Sequence, residues 1–158
     1  MRFTIIAVGR TRSGPERTLW LDYLGRLQTP AEVIEVEERK PLPAADRVKS
    51  EGRLLLDKIP AGATVIALDG RGQALGSEDL AARLQAWRDE GIRELAFLIG
   101  GADGLDRTVI DAAHLVLSLG PMTWPHLLVR VLLAEQLYRA EQILAGHPYH
   151  RSGPPPGR

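Results

Sequence analysis

The chain has 158 residues, of which 44% are hydrophobic and 25% charged, with 20 basic side chains against 20 acidic ones. That length suits one domain with an ordinary core, and the composition is that of a globular protein. Zero net charge argues against a protein that coats nucleic acid non-specifically, and the absence of cysteine excludes disulfides, thiolate metal sites and cysteine nucleophiles.

The charge is unevenly spread. Residues 1–30 carry five Arg against Glu16 and Asp22, residues 61–120 five basic against nine acidic, and residues 121–158 four Arg against Glu135 and Glu141. Two basic ends therefore flank an acidic middle. No apolar run reaches the roughly 18 residues of a membrane span. The start, "MRFTIIAVGRTRSG", has no small-residue cleavage site of a signal peptide. A cytoplasmic location is expected.

Apolar runs and helical patterns alternate along the chain. "FTIIAVG" (3–9) is a β-branched run ending in Gly, and so a strand. Residues 15–28 place Leu19, Tyr23, Leu24 and Leu27 at helical spacing, with Pro15 suited to a first turn. "AEVIEVEE" (31–38) reads as a charged edge strand, and 44–59 as a helix with Val48, Leu55, Leu56 and Ile59 on one side. "ATVIALD" (63–69) is a buried strand followed by a loop, "GRGQALGS". Residues 77–91 read as a helix with Ser77 as its cap and Gly91 at its end. "ELAFLIGG" (94–101) is a strand, "LDRTVIDAA" a short helix and "HLVLSLG" (114–120) a fifth strand. A helix over about 125–144 closes a single domain, 1–151, and the Pro-rich 152–158 is expected to be disordered.

Five strands alternating with helices imply an α/β fold, a parallel sheet covered on both faces. Ligands of such sheets sit beyond the C-terminal strand ends. Three loops should meet there: after Leu68-Asp69, after Ile99-Gly100, and after Leu119-Gly120. "IGGADGL" offers glycines that let a backbone come close to a ligand. "SLGPMTWPH" offers backbone N–H and C=O groups able to read an adenine edge, although a plain connector needs the same residues. The closing helix carries two polar stripes, His126/Arg130/Glu141 and Glu135/Arg139/Gln142, in an otherwise apolar surface. A helix apolar around much of its circumference is buried on several sides, which suggests a two-fold partner; a core helix with an i,i+4 surface pair is the plain alternative. His114 is expected at the surface or the sheet edge. "HPYHR" (147–151) joins an aromatic face, imidazoles and a cation, types suited to RNA. No His or carboxylate cluster has metal-ligand spacing, so no metal is expected.

Together, "LDGRGQALGSEDLA", "FLIGGADGL", "LSLGPMTWPHLLVRVLLAEQLYRA" and "HPYHR" resemble the RlmH family, the large-subunit ribosomal RNA pseudouridine N3-methyltransferases of the SPOUT class. The resemblance runs in order over nearly the whole chain to Arg151. It departs at Gly120-Pro121, where the family usually has a Ser and a variable residue, and in the extension past Arg151. It implies a SPOUT fold with a C-terminal trefoil knot, a rare exception to the unknotted rule. It implies a homodimer, S-adenosylmethionine as cofactor, and a pseudouridine in a 23S rRNA hairpin, met on the assembled ribosome. Carried over by position, the cofactor contacts would be Leu68, Gly100, Gly101, Leu119, Gly120, Pro121, Met122, Thr123 and Trp124.

The chemistry follows. The N3 of a uracil-type base is a protonated imide, so a base must take its proton while cofactor and nucleophile are held in line. A histidine suits that near neutral pH. His150 is the first candidate and His126 the second. Arg130, Arg139 or Arg151 could stabilise charge on the flanking carbonyls, Tyr149 could stack on the base, and the tail is expected to reach the cofactor pocket. Two other functions stand beside this one. A dinucleotide-binding oxidoreductase lacks its G-x-G-x-x-G after the first strand. A non-enzymatic ribosome-binding factor would bind ribosomes without transferring methyl groups.

Overall fold

The structure, a computed structural model, describes residues 1–153. Five strands form one parallel sheet: β1 (Arg2–Val8), β2 (Ala31–Val36), β3 (Thr64–Ala74), β4 (Glu94–Ile99) and β5 (Leu115–Ser118). Their order is β2-β1-β4-β3-β5. β1 and β4 are buried along almost their whole length, as strands covered on both faces must be. The charged β2 lies at an edge.

The helices are α1 (Pro15–Arg26), α2 (Ala44–Leu56), α3 (Ser77–Asp89), α4 (Arg107–Ala112) and α5 (His126–Leu144). Side chains alternate across each strand. Phe3, Ile5, Ala7, Leu95, Phe97 and Ile99 therefore pack with Leu84, Leu133 and Leu137 of α3 and α5. Ile6, Val8, Ala96 and Leu98 pack with Leu55 and Val109 of α2 and α4. Except in β3 and α5, the C-terminal ends of the elements fall one to three residues inside the expected ranges, where assignment is least sharp.

Two expectations need correction. The "GRGQA" read as loop is strand: β3 continues through it past a bulge, so that Leu117 of β5 pairs first with Leu68 and again, after the shift, with Gln73. Gly72 makes this possible, since a Cβ there would stand 2.3 Å from the Val116 carbonyl oxygen. Glycine within a strand marks a bulge or a close backbone approach as often as a break. Nor is Ser77 a cap. Gly76 precedes α3 without a side-chain cap, and the Ser77 hydroxyl donates to Gln136 Oε1 at 2.7 Å.

α5 lies between α1 and α3 on one face of the sheet. Its apolar circumference is thus largely explained within the chain, and apolarity alone does not call for a partner. His114, exposed just before β5 at the sheet edge, accepts the Val65 N–H at Nδ1 (2.9 Å) and prolongs the β3–β5 pairing. Among the described residues, no helix is long and apolar enough to cross a membrane. The expected disorder of 154–158 lies outside the described residues.

Candidate active site

The C-terminal ends of β4 and β5, with the bulged middle of β3 between them in the sheet, open into a cavity of about 290 Å³. Its wall is built from Leu68, Asp69 and Gly70 at the bulge within β3, Ile99, Gly100, Ala102 and Gly104 at and after the end of β4, and Leu117 and Leu119 through Trp124 at and after the end of β5; His126 and Val129 of α5 close it. The three segments selected by the strand-end argument therefore meet, the first of them as a bulged strand and not a loop. A Cβ on Gly100 would come within 2.7 Å of the Gly104 carbonyl oxygen, so this loop folds back on itself only around glycine. Gly120 has φ +108°, a conformation disfavoured for any other residue. Its N–H donates to Ser118 Oγ (3.2 Å), and Trp124 Nε1 donates to the Leu119 carbonyl at 3.4 Å.

The lining contains no Lys or Arg; its titratable side chains are Asp69 and His126. Arg71 grips Asp69 through Nε and Nη2, at 2.8 and 2.9 Å. That hydrogen bonding, against the opposing effect of burial, holds the carboxyl below its usual range. Among the described residues, no three His, Asp or Glu side chains gather closely enough to hold a metal ion.

Gly101 is placed differently from its neighbour. It is not in the cavity wall. The direction a Cβ would take from it points to Val8 Cγ1 (3.0 Å) and Glu51 Oε2 (3.3 Å), on the α2 side of the loop.

The polar stripes of α5 have separate duties. Arg130, expected in an open cleft, is 1% exposed. Its Nη2 donates to the Val8 and Gly9 carbonyls, both at 2.8 Å, and its Nη1 donates to Glu35 (2.7 Å) and to the Thr11 hydroxyl. Burial pushes the Glu35 carboxyl up, but hydrogen bonds from Arg130 and Thr11 and the Arg130 charge outweigh it and hold it low. Arg130 thus clamps α5 to the loop after β1 and is not free to meet a substrate. Glu141 accepts the N–H groups of Gln28 and Thr29, each at 2.9 Å.

The second stripe gathers the tail. Arg139 Nε donates to Glu135 at 3.0 Å and its guanidinium lies 4.8 Å from the Tyr149 ring centroid. Tyr149 meets Tyr138 edge-on (4.8 Å), and its hydroxyl donates to Glu135 at 3.1 Å. Burial, then hydrogen bonding with Tyr23 and Glu135, pushes the phenol up to about 12. Arg139 can only donate, so His150 Nδ1 accepts from it at 3.2 Å, and Nε2 stands 3.5 Å from Glu78. Arg151 is exposed. Tyr149, His150 and Arg139 are brought together, but not at the cavity: Arg139 lies thirteen residues beyond His126, roughly 20 Å along the helix. Within one chain, His126 alone of the catalytic candidates faces the cavity. Sequence reasoning did not single out Asp69, Gly104 and Val129 as lining residues. Asp69 and Gly104 stood in named motifs, whereas Val129 is reached only by knowing where α5 packs.

A family model described as "Predicted SPOUT methyltransferase" matches residues 1–150. The class that this strand order and strand-end cavity represent is therefore that of the SPOUT methyltransferases. The Ribosomal RNA large subunit methyltransferase H of Rhodospirillum centenum is 55% identical over 152 residues, covering 96% of this chain and all of that one. The protein of that name from Paramagnetospirillum magneticum is 54% identical over 151 residues, covering 96% of this chain and 99% of the other. The chain belongs to the RlmH family of SPOUT methyltransferases. Among solved structures, a probable methyltransferase from Bordetella pertussis Tohama I shares the fold at 19% identity, with TM-score 0.57 over 88% of this chain and 95% of that one. A probable methylase family protein from Haemophilus influenzae Rd KW20 does so at 11% identity, with TM-score 0.59 over 97% and 72%.

Proposed function

We propose that this chain is an S-adenosylmethionine-dependent methyltransferase of large-subunit ribosomal RNA, acting on N3 of a pseudouridine in the assembled ribosome. The observation that carries the reading is the cavity's lining. It is apolar and backbone-rich, has one carboxylate, and has no cation. A sulfonium cofactor with an adenine suits such a wall, whereas the pyrophosphate of a dinucleotide would lie without a positive partner. Leu68, Gly100, Gly104 and Leu119 through Trp124 would hold the cofactor by shape and backbone. When bound, S-adenosylmethionine supplies a methyl group already activated as a sulfonium.

The chain's own residues must then position the base, exclude water and accept the N3 proton. His126, in the cavity wall, and His150, in the tail, are the candidate imidazoles. His150 is the general base in this reading, with Arg139 or Arg151 beside the flanking carbonyls. Because the tail lies far from its own cavity, it serves the cavity of a second subunit in a homodimer. Exposed Met122 and Trp124 and half-buried Leu127, Leu128 and Leu132 support such an interface. Tyr149 would have to leave Tyr138 to stack on a base, so its role is to fix the Arg139–Glu135 pair. A C-terminal trefoil knot belongs to this reading through membership of the SPOUT methyltransferases. A ribosomal substrate makes the cytoplasm the compartment.

Ribosomes incubated with labelled S-adenosylmethionine, followed by mapping of the labelled nucleotide, test the reading. Label at one pseudouridine N3 of the large subunit is expected. Ribosome binding without any label would favour a non-enzymatic factor.

A further inference from the structure

Glu51 has no part in the chemistry above, yet its position is unusual. It is 7% exposed, and its Oε2 is sealed from solvent without a hydrogen-bond partner. A buried carboxylate in that state is costly when ionised. It lies under the loop between β4 and α4, close enough that a Cβ on Gly101 would stand 3.3 Å from Oε2. The other face of this same loop, at Gly100, Ala102 and Gly104, is cavity wall.

The surroundings give Glu51 little to ionise against. On its own helix, which also carries Lys49 and Arg53, Arg47 is the cation whose charge favours ionisation of Glu51, and its Nη2 already donates to the Leu42 carbonyl at 3.0 Å. Beyond β2, Glu38 accepts from Ser50 and from the Lys40 N–H. β1 contributes Val8, the loop contributes Asp103, and α4 contributes Asp106 and Thr108, which pack on Gly52 and bond to each other. Burial, and then the Asp103 charge, push the Glu51 carboxyl above its ordinary value of 4.5.

We propose that Glu51 is a positioning residue: its neutral carboxyl seats the Gly100–Gly104 loop against Val8 and α2, and its ionisation lifts the loop and weakens the cofactor. The proposal rests on the reading of the cavity as the S-adenosylmethionine site. If only the neutral form binds well, apparent affinity follows the neutral fraction and falls about tenfold per pH unit above the Glu51 pKa. Glu51→Gln has nearly the same shape and is neutral at every pH.

S-adenosylmethionine is titrated calorimetrically into wild type and Glu51→Gln from about pH 5 to about pH 9, spanning the range above an ordinary carboxylate pKa. The cofactor's own ionisation is common to both proteins and cancels in the ratio of affinities. The two should bind alike at the acid end, and the ratio should grow in favour of Glu51→Gln as pH rises. A ratio constant across the range overturns the proposal. A second readout needs no cofactor: amide exchange at Gly104, whose N–H donates to the Gly101 carbonyl at 3.1 Å. Corrected for intrinsic rates, protection should fall with pH in wild type and stay level in Glu51→Gln. If neither protein binds S-adenosylmethionine, the cofactor reading fails while exchange still decides the role of Glu51. Should Glu51→Gln not fold, protection at Gly104 that is independent of pH in wild type overturns the proposal by itself.

Discussion

Gly100 tolerates no side chain because the Gly104 carbonyl occupies the place of its Cβ. Valine there forces the loop out of the cavity wall, an overpacking cost of about 1–3 kcal/mol. S-adenosylmethionine affinity should fall roughly 10- to 100-fold if that cost falls on the bound state, measured by calorimetry. Asp106→Asn should leave it unchanged, since Asp106 caps α4 by accepting the Thr108 N–H (3.1 Å) and Asn caps as well. Arg130 works through charge and packing together. Arg130→Met leaves Glu35 unpaired and should cost about 3 kcal/mol, the lower end for a broken buried pair because Glu35 is partly hydrated. Glu35 has a depressed folded pKa, so the stability it contributes is present above the ordinary value of 4.5 and is lost as pH falls through the folded one. The gap between wild type and Arg130→Met in urea unfolding should therefore narrow in acid. A gap of constant size would mean that packing against Trp20, 5.3 Å from the guanidinium, carries the effect instead.

At the scale of elements, β3 depends on a bulge and α5 on its neighbours. Gly72→Ala places a methyl into the Val116 carbonyl, so the second β3–β5 pairing must separate, at about 1–3 kcal/mol. Thermal unfolding should show the loss, with faster exchange at Gln73 and Ala74. The tail is more than a loose end, because Tyr149 packs on Tyr138 and bonds Glu135. Truncation after Gly146 should therefore cost about 1 kcal/mol of stability, the worth of an aromatic pair. It should leave S-adenosylmethionine affinity intact and abolish methyl transfer. His150→Ala should keep the fold and lower the single-turnover rate, with partial recovery at higher pH as more N3 ionises unaided. Truncation after Arg151 should be silent in the same assay. Full transfer by a protein lacking residues 147–158 would remove the tail from the chemistry and leave His126 as the base.

On the scale of the whole molecule, the tail packs on the middle of α5, at Glu135 and Arg139, and no described residue of it lines the cavity at the start of that helix. Light scattering at micromolar concentration should report a dimer, and mixing a tail-truncated protein with a Gly100→Val protein should restore part of the transfer that each lacks alone. A monomer at that concentration with full activity would defeat the shared-site reading. The charge balance fits this scale as well, since a site assembled from two subunits on a ribosome can select by shape without a strongly basic surface.

Much of this was legible in the amino-acid sequence itself. Alternating β-branched runs and 3.6-residue patterns determined five strands, five helices and a parallel sheet, because both periodicities follow from backbone geometry alone. The strand-end rule brings the segments at Leu68, Gly100 and Leu119 to one place from strand order along the chain alone. Tertiary structure decided the rest, for reasons that local pattern does not carry. Whether Gly72 breaks a strand or lets it pass close to another depends on where Val116 stands. Whether Arg130 faces solvent or the core depends on the loop after β1, more than a hundred residues away in the chain. Gly100 and Gly101 are adjacent and chemically identical, yet one faces the cavity and the other Glu51, because successive residues of an extended loop point to opposite sides.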